Sequence, residues 1–463
     1  MERPPGDGGD GLTVPAPARP DTEVVHDPDT YVRGMPHDAF ARLRAREAVS
    51  WVEEPAVDRF TAGPGFWGVW RHADGKRVLR SPQLFSSHLG ATQIRDPPTP
   101  ADLAEARRSM LNMDPPEHSR LRGLLARAFT PRAVALLEHR IEERAHRLVA
   151  GVAGDGGCDF AQAAADLPLL TLADVLGVPE SDRHLLYDWA SRVIGYQDEE
   201  YAAIDVTDRA AATPMARAAL AVRPRPDPEG RMPNPRTRAG IPDLYAYAEQ
   251  LAAYRRRRPG DDVMSILLQQ VDAGSGRVSV AEFENLFWLF AVAGNETLRN
   301  GVPGGMVALL ENPGAHAALA ADRSLLPTAV DEMLRWWSPV VHFRRTATSD
   351  CDVAGHPIRA GEKVVVYLAS ANHDERVFDD PDAFRVDRSP NDHLAFGQGP
   401  HFCLGAQLAR CQMGAVFGAV LDHLEELEPA GAVVRLRSNF QNGIKHLPIQ
   451  WRPRRPGAAP RCG

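Results

Sequence analysis

The amino-acid sequence predicts a mainly α-helical protein with small β-sheets. Apolar residues recur at helical spacing, with charged residues between them, over Val134–Val152, which is typical of an amphipathic helix. The segment Ser279–Leu310 begins with the capping signal SVAE, and its middle, LFWLFAVAG, is apolar on every side, which predicts a long buried helix. Strand signals are few. KVVVYLAS (Lys363–Ser370) is rich in β-branched residues, and CDVAGHPIRAG (Cys351–Gly361) before it is predicted to be its hairpin partner.

The composition is that of an ordinary globular protein. The chain has 463 residues, a net charge of −8, 44% hydrophobic residues and 25% charged residues. A chain of this length can bury a core large enough to enclose a bulky cofactor and a substrate. The net negative charge argues against a nucleic-acid-binding protein, but it allows a local basic patch for an acidic protein partner.

The five cysteines are scattered and include no CxxC pair. This pattern excludes a disulfide framework and a zinc ribbon, and it favours a reducing cytoplasm. Residues 1–25 are polar and rich in Pro and Gly, which predicts a disordered leader without a secretory signal, and residues 454–463 are predicted to form a flexible tail. About 18 consecutive apolar residues occur nowhere, so no membrane anchor is expected.

The segment Ala221–Asp243 is dense in Pro and Arg and lies between two helical segments. This composition predicts a long flexible loop. Two interpretations have equal weight: a solvated insertion without a role, or a lid over an access channel.

The segment around Cys403 carries the chemistry. Two glycines and a proline in Phe396–Pro400 force an irregular loop, and Leu404–Arg410 after the cysteine has a helical pattern. A cysteine at a helix start is expected to have a lowered thiol pKa, because the free N–H groups and the helix dipole favour a thiolate. Gly405 would let a flat ligand approach closely. Most lone cysteines are structural, but this loop and spacing favour a ligand.

The run Phe-Gly-x-Gly-x-His-x-Cys-x-Gly resembles the haem-binding loop of the cytochrome P450 family. The resemblance implies that Cys403 is the proximal iron ligand of haem b, that Phe396 shields the haem and that His401 contacts a propionate. Gly405 completes the motif. A thiolate ligand favours cleavage of the O–O bond of dioxygen.

Glu332 and Arg335 in DEMLRWW lie on one helix face. Such pairs are usually exposed and contribute little. The resemblance implies instead that the pair is buried and is completed by Arg388, in a structural role.

An acid and an alcohol, Glu296 and Thr297, lie in the middle of the long apolar helix, where each is costly unless it is satisfied. The resemblance implies that they are catalytic: Thr297 orients dioxygen and a water, and Glu296 delivers protons. The alternative, which is compatible, is that Thr297 bonds back to a carbonyl one turn earlier. Leu298 stands where many relatives have a second threonine, and we assign this difference no consequence.

Three further cations match positions that hold the haem propionates in the family: His118 and Arg122 in PPEHSRLR, and Arg345 in FRRTATSD. Each alone would be interpreted as part of a surface salt bridge. Together they would pair with buried carboxylates, which are costly when unpaired.

The resemblance therefore implies one haem-thiolate domain over residues 26–453, with haem between the long central helix and the helix after the cysteine loop. It also implies a monooxygenase that inserts one atom of O2 into a hydrophobic substrate. Electrons would come from an external ferredoxin and its reductase, and we expect the ferredoxin to dock near Arg127 and Arg410.

The substrate is less closely specified. AGNETLRNG and LRSNFQNGIKHLPI resemble a bacterial branch that oxidises steroids, branched lipids and terpenoids, and another natural product fits as well. The candidate pocket residues, for which core packing is an equal alternative, are Leu89–Gln93, Val292, Ala293, His342 and Phe440.

Two alternative functions stay open at this point. One is a haem-thiolate enzyme that catalyses oxidative coupling or desaturation, or that uses peroxide. The other is a non-catalytic haem- or ligand-binding protein. The Glu296–Thr297 pair favours dioxygen over peroxide and catalysis over binding alone. No feature of the sequence supports a nucleic-acid role.

Overall fold

The computed structural model describes residues 19–454 except 59, 203–204, 206–211, 231 and 274–277, and it leaves the side chains of residues 127, 128 and 131 undescribed. The described chain is mainly helical, as predicted. The α-helices are, in chain order, α1 Asp21–His26, α2 Pro28–Arg33, α3 His37–Arg46, α4 His72–Arg80, α5 Pro100–Ala106, α6 Glu117–Leu125, α7 Pro131–Ala153, α8 Phe160–Ala164, α9 Asp166–Leu176, α10 Arg183–Ile194, α11 Glu199–Ala202, α12 Pro214–Leu220, α13 Pro242–Arg257, α14 Val263–Asp272, α15 Val280–Glu311, α16 Pro313–Ala321, α17 Leu326–Trp337, α18 Leu368–Ala371 and α19 Ala406–His423.

The strands are short. They are β1 Val49–Val52, β2 Phe66–Val69, β3 Phe85–Ser86, β4 Gly157–Asp159, β5 His342–Ala347, β6 Cys351–Val353, β7 His356–Ile358, β8 Lys363–Tyr367, β9 Leu424–Pro429, β10 Val434–Arg435, β11 Ile444–His446 and β12 Pro448–Pro453. The largest sheet has the order β1-β2-β8-β5-β3, with a parallel pair between β2 and β8. A second sheet has the order β4-β12-β9, and β6-β7 and β10-β11 form separate pairs.

The predicted strand from Lys363 is β8, but its predicted hairpin partner is wrong. The segment Cys351–Gly361 folds on itself as the β6-β7 hairpin, whereas β8 pairs with β5 and β2. The reason is a tight turn at Ala354 and Gly355, whose φ values are 52° and 86°. Two successive left-handed residues close a two-residue hairpin within the segment itself.

The long central helix is α15, which has 32 residues. Its start has the predicted capping box: the Ser279 hydroxyl accepts from the Glu282 N–H, and the Glu282 carboxylate accepts from the Ser279 N–H. Most of its side chains are buried, and it packs against α9, α10, α17 and α19. No helix among the described residues combines the length and the apolar character needed to cross a membrane.

The predicted disorder is wrong for the end of the leader. Residues 1–18 lie outside the described residues, but Asp21–His26 forms α1. This helix is held because Val25 is fully buried and because Arg42 pairs with Asp21 at 2.7 Å. Helix α1 is therefore packed against the core through Val25. Of the predicted tail, residues 455–463 also lie outside the described part of the chain.

The Pro- and Arg-rich segment Ala221–Asp243 crosses the surface between α12 and α13. Arginines tie it to three other parts of the protein: Arg223 donates to Asp188 of α10 at 2.8 Å, Arg236 donates to the carbonyl of Arg95 at 3.1 Å, and Arg238 donates to Glu284 of α15 at 2.7 Å. The described part of this segment is thus tied to the protein at Arg223, Arg236 and Arg238.

Candidate active site

Cys403 lies in an irregular loop between α18 and α19. A short 3-10 turn, Gly399–His401, precedes it, and the Cys403 N–H donates to the carbonyl of Phe396 at 2.9 Å. Gly397 and Gly399 have φ values of 69° and 71°, which favour glycine. A Cβ on Gly399 would lie 2.5 Å from the Leu79 carbonyl oxygen, so this glycine lets the loop pack directly on α4. The predicted irregular loop is confirmed.

The side chain of Cys403 lies deep within the fold, but it borders an open space beside the loop. Burial raises its pKa, while the Gly405 backbone, Arg122 and Arg410 act weakly in the opposite direction. The expected lowered pKa is therefore wrong for the free thiol. The helix α19 begins three residues later, at Ala406, and a helix dipole acts only near its first turn. Coordination to a metal ion would deprotonate the thiol in spite of burial.

The four other side chains predicted to hold propionates come together. The rings of His118 and His401 lie with centroids 4.1 Å apart. Arg122 and Arg345 are close enough to lower the pKa of both histidines further, although burial is the main cause. Burial leaves His118 with a pKa of about 4 and His401 with a pKa of about 2, so both rings are neutral at neutral pH.

This cluster fits the two carboxylates of haem b. Arg345 is buried and donates to the Arg344 carbonyl at 2.9 Å, and its burial lowers its pKa to about 10. Within the described part of the chain, neither Arg122 nor Arg345 forms an ion pair with a carboxylate, and Asp114 acts on Arg345 only from farther away. A buried cation without an anion is costly, so the site is suited to an anionic ligand. A Cβ on Gly405 would meet no atom within 4 Å, which leaves room for a flat ring beside Cys403.

The acid and the alcohol of α15 have separate partners. Glu296 is fully buried and accepts from Arg299 at 3.0 Å and from Asn300 at 3.3 Å. The Thr297 hydroxyl donates to the carbonyl of Ala293 at 2.9 Å, which confirms the predicted bond to the preceding turn. Ala293 itself is exposed in the middle of this otherwise buried helix, so α15 borders open space here.

Arg299 is a functional candidate that the sequence analysis missed. It is buried, donates to the hydroxyl groups of Tyr187 and Tyr201, and lies over the Tyr187 ring at 4.3 Å. The spacing of three residues between Glu296 and Arg299 was a visible signal. The two tyrosines come from α10 and α11, and no sequence pattern links them to α15.

The predicted buried group of Glu332, Arg335 and Arg388, called the triad below, is confirmed. Arg335 donates to both carboxylate oxygens of Glu332, at 2.7 and 2.8 Å, and Arg388 donates to the same oxygens at 3.1 and 3.0 Å. Asn391 adds a further donor at 3.2 Å. Each remaining donor of the two arginines finds a backbone carbonyl, so the group ties α17 to the chain that leads into the cysteine loop.

Arg410, an expected docking residue, is engaged within the protein. It donates to Asp331 at 2.7 Å, and its guanidinium lies 4.7 Å from the centre of the Phe396 ring. Arg410 therefore supports the cysteine loop through its contact with Phe396. The side chain of Arg127, the other expected docking residue, lies outside the described residues.

Three of the predicted pocket residues, Gln93, His342 and Phe440, line one cavity. Val292 is buried, whereas Leu89 is 46% exposed. Two residues that the sequence analysis did not consider, His26 and Tyr196, complete much of the same wall. No spacing in the sequence connects them to the other three.

Comparisons with known proteins agree with this geometry. The family model described as cytochrome P450 matches residues 247–448. A steroid C26-monooxygenase of Mycobacterium tuberculosis is 37% identical over 451 residues, which cover 96% of each chain. A methyl-branched lipid omega-hydroxylase of Mycobacterium bovis is 36% identical over 419 residues, which cover 89% of this chain and 90% of that one.

The fold is likewise similar to that of solved structures. A Mycobacterium marinum cytochrome P450 in complex with pseudoionone has a TM-score of 0.79 and 37% identity, and the match covers 94% of this chain and all of that one. Relatives that span nearly the whole chain and a shared fold lead to one conclusion: the chain belongs to the cytochrome P450 family and is a monooxygenase with haem b as its cofactor.

Proposed function

We propose that this enzyme hydroxylates a hydrophobic steroid, terpenoid or other natural product, with electrons from an external ferredoxin and its reductase. The observation that carries the proposal is the Glu296–Thr297 pair at the point where α15 borders open space. Such a pair supports proton delivery to dioxygen, and a merely haem-binding protein would not need it.

In this proposal Cys403 binds the iron, and His118, Arg122, Arg345 and His401 hold the propionates. Haem b, when bound, activates dioxygen so that one oxygen atom enters a C–H bond of the substrate. The two arginines supply positive charge, and the neutral ring of His118, whose Nδ1 has no partner among the described residues, can supply one donor. The His401 ring is already in contact with the Ser87 hydroxyl at 3.2 Å and with the Met113 backbone.

Phe396 covers the loop on its inner side, where its ring contacts those of His393 and Phe402. The stacked guanidinium of Arg410 holds the Phe396 ring from the other direction. These contacts fix the shape of the loop that presents Cys403, because a ring held on two sides has little freedom to turn.

Thr297 and Glu296 handle protons. The Thr297 hydroxyl donates to the Ala293 carbonyl, so its oxygen keeps lone pairs that can accept a hydrogen bond from a water molecule. Glu296 is one residue away and is held by Arg299, which connects it to the hydroxyl groups of Tyr187 and Tyr201. We infer that Glu296 takes up protons through the group formed by Arg299 and the two tyrosines and passes them toward Thr297.

The substrate class rests on the relatives. Their names specify a steroid and a methyl-branched lipid, and the solved relative binds pseudoionone. All three are largely apolar molecules, which agrees with the apolar residues that surround the centre of α15.

The electron donor would dock on the outer side of the cysteine loop. Helix α4 packs directly against this loop at Gly399, and it exposes Arg77 and Arg80. Among the described residues neither has an ion-pair partner, so both are available to an acidic protein. This surface replaces Arg410 as the expected contact, because Arg410 is paired with Asp331.

The test uses the purified haem enzyme with a ferredoxin, its reductase and a panel of steroids, branched lipids and terpenoids under isotopically labelled dioxygen. We expect one labelled oxygen atom in the product, and we expect Arg77→Glu with Arg80→Glu to raise the ferredoxin KM without changing peroxide-supported turnover. Unlabelled, coupled or desaturated products would instead support the alternative chemistries. An unchanged ferredoxin KM would exclude the proposed docking surface.

A further inference from the structure

One carboxylate contacts the chain on both sides of Cys403. Asp331 lies on α17, next to Glu332 of the triad. Its Oδ1 atom is 2.7 Å from Nε of Arg410, which donates to it, and 3.3 Å from Nε2 of His393. His393 precedes Cys403 in the chain, and Arg410 follows it on α19. A single side chain from another helix therefore joins the two ends of the cysteine loop.

The two hydrogen bonds of His393 define the orientation of its ring. The Ala395 N–H donates to Nδ1 of His393 at 3.2 Å, so Nδ1 acts as an acceptor. The proton of the neutral ring is therefore assigned to Nε2, which donates it to Asp331. The side chain of His393 is only 3% exposed, and its ring centre lies 5.7 Å from that of Phe396. Asp331 thus holds a buried ring that packs against the cysteine loop.

Both partners of Asp331 contact the same phenylalanine. The guanidinium of Arg410 lies 4.7 Å from the centre of the Phe396 ring, and His393 packs against this ring as well. The backbone carbonyl of Phe396 in turn accepts from the Cys403 N–H at 2.9 Å. Asp331 is therefore connected to Cys403 through one intervening residue, Phe396, by way of both its partners.

The same group places two opposite charges near Cys403. Burial raises the pKa of the Cys403 thiol, and the positive charges of Arg122 and Arg410 oppose this rise. Asp331 is in contact with Arg410 and carries the opposite charge. Burial opposes its ionisation, but the hydrogen bonds from His393 and Arg410 lower its pKa, so Asp331 is ionised at neutral pH. The effect of Arg410 on a charge at Cys403 is thus reduced by Asp331.

We propose that Asp331 is a positioning residue for Cys403. It orients Phe396 through His393 and Arg410, and its charge offsets the charge of Arg410. The proposal rests on the proposed function in that it takes Cys403 to be the iron ligand. It adds that a carboxylate outside the cysteine loop contributes to the reduction potential of the haem. A cation near the ligand favours the reduced state, which carries one more negative charge, and an anion disfavours it.

The first experiment measures the reduction potential of the substrate-free haem enzyme by redox titration of the Soret band. The variants are Asp331→Asn, which keeps an acceptor oxygen but removes the charge, Arg410→Met, and the double variant. Asp422→Asn is the matched control, because Asp422 also pairs with an arginine, Arg323, at 2.9 Å, but lies at the other end of α19. Arg410→Met tests the proposal without a change at Asp331, should Asp331→Asn bind no haem.

We expect Asp331→Asn to raise the potential and Arg410→Met to lower it. Each shift should correspond to a change of about three- to tenfold in the equilibrium constant of reduction, tenfold being about 59 mV for one electron. The double variant should lie between the two single variants, and Asp422→Asn should match the wild type. Opposite signs are diagnostic, because a loosened loop would shift the potential in the same direction in both single variants.

A second experiment tests the orientation of the loop. Asp331→Ala removes the acceptor as well as the charge, so haem should pass to an excess of apomyoglobin several-fold faster than from the wild type. Asp331→Asn keeps the acceptor and should release haem at nearly the rate of the wild type. Equal rates in Asp331→Ala and the wild type would overturn the positioning role.

The electrostatic role has its own contrary results. Shifts of the same sign in Asp331→Asn and Arg410→Met would overturn it, and so would potentials equal to that of Asp422→Asn. The proposed function is judged separately, by the carbon monoxide spectrum of Cys403→Ala and by labelled-oxygen incorporation. Failure of the Asp331 proposal therefore leaves the proposed function standing.

Discussion

The guanidinium of Arg335 meets the carboxylate of Glu332 in a two-pronged hydrogen bond, at 2.7 and 2.8 Å, and neither side chain is exposed to solvent. Arg388 binds the same carboxylate from the chain that leads into the cysteine loop. A carboxylate shared by two arginines is well compensated in the interior, and removal of one partner leaves an unbalanced buried charge.

We therefore expect Arg388→Met to lower the free energy of unfolding by about 3–5 kcal/mol and to reduce haem incorporation. Urea unfolding, followed by fluorescence and by the Soret band, measures both. Arg452→Met is the control, since Arg452 is half exposed and pairs with Glu425 at the surface, where an ion pair contributes less than about 1 kcal/mol. Similar losses in both variants would contradict the structural role of the triad.

Replacing Arg345 should affect two properties differently: the stability of the haem-free protein should not fall, whereas haem binding should weaken. Its buried cation forms no ion pair among the described residues, and Asp114 offsets its burial only in part, so Arg345→Met should leave the haem-free protein as stable as the wild type or more so. The same change should speed haem dissociation about 10- to 100-fold, because a charge-assisted hydrogen bond to a propionate is lost. Transfer of haem to an excess of apomyoglobin gives the rate. Haem retention equal to that of the exposed control Arg359→Met would refute the assignment.

Thr297→Ala tests the proton route. Among the described residues the Thr297 hydroxyl bonds only to the Ala293 carbonyl, so stability should change little in the variant. Product formed per dioxygen consumed should fall, and the rate of product formation should drop by as much as about 10²–10⁴-fold, the range of general acid–base contributions. Thr297→Ser keeps the hydroxyl and should keep most of the yield. An unchanged yield in Thr297→Ala would remove this residue from the mechanism.

The two cavity histidines predict a pH dependence of stability. His26 faces Arg95, Lys363 and Asp27, and His342 faces His26, and both have folded pKa values below the unfolded value of 6.5. Between about pH 6.5 and about pH 4 the unfolded state therefore binds more protons than the folded state. Each histidine lowers the free energy of unfolding by about 1.4 kcal/mol for each pH unit by which the pH falls in this range. The slope of unfolding free energy against pH should be shallower in the double variant His26→Phe with His342→Phe. An equal slope would mean that folding does not lower the pKa of these two rings.

The parts of the fold that are local in sequence were predictable. The capping box and the apolar run of α15 specified its ends within about one residue, and the glycine spacing around Cys403 specified an irregular loop. The buried triad was predictable only through the family resemblance, because a pair spaced like Glu332 and Arg335 is usually exposed.

The remainder depends on contacts that no local pattern encodes. The polar composition before His26 indicated disorder, yet Val25 fills the core. The thiol pKa of Cys403 was expected to fall because the helix start is visible in the sequence, whereas the burial that raises it is not. Arg299 and its tyrosines, and the meeting of His26 with His342, join segments more than ninety residues apart.

The most direct test of the central claim is the carbon monoxide difference spectrum of the dithionite-reduced protein, recorded for the wild type and for Cys403→Ala. If Cys403 supplies the thiolate ligand, the wild type will show a Soret band strongly red-shifted from that of histidine-ligated haem, and the variant will lose it. A band that is unchanged by the substitution, or no haem band after expression with ample haem, would contradict the account.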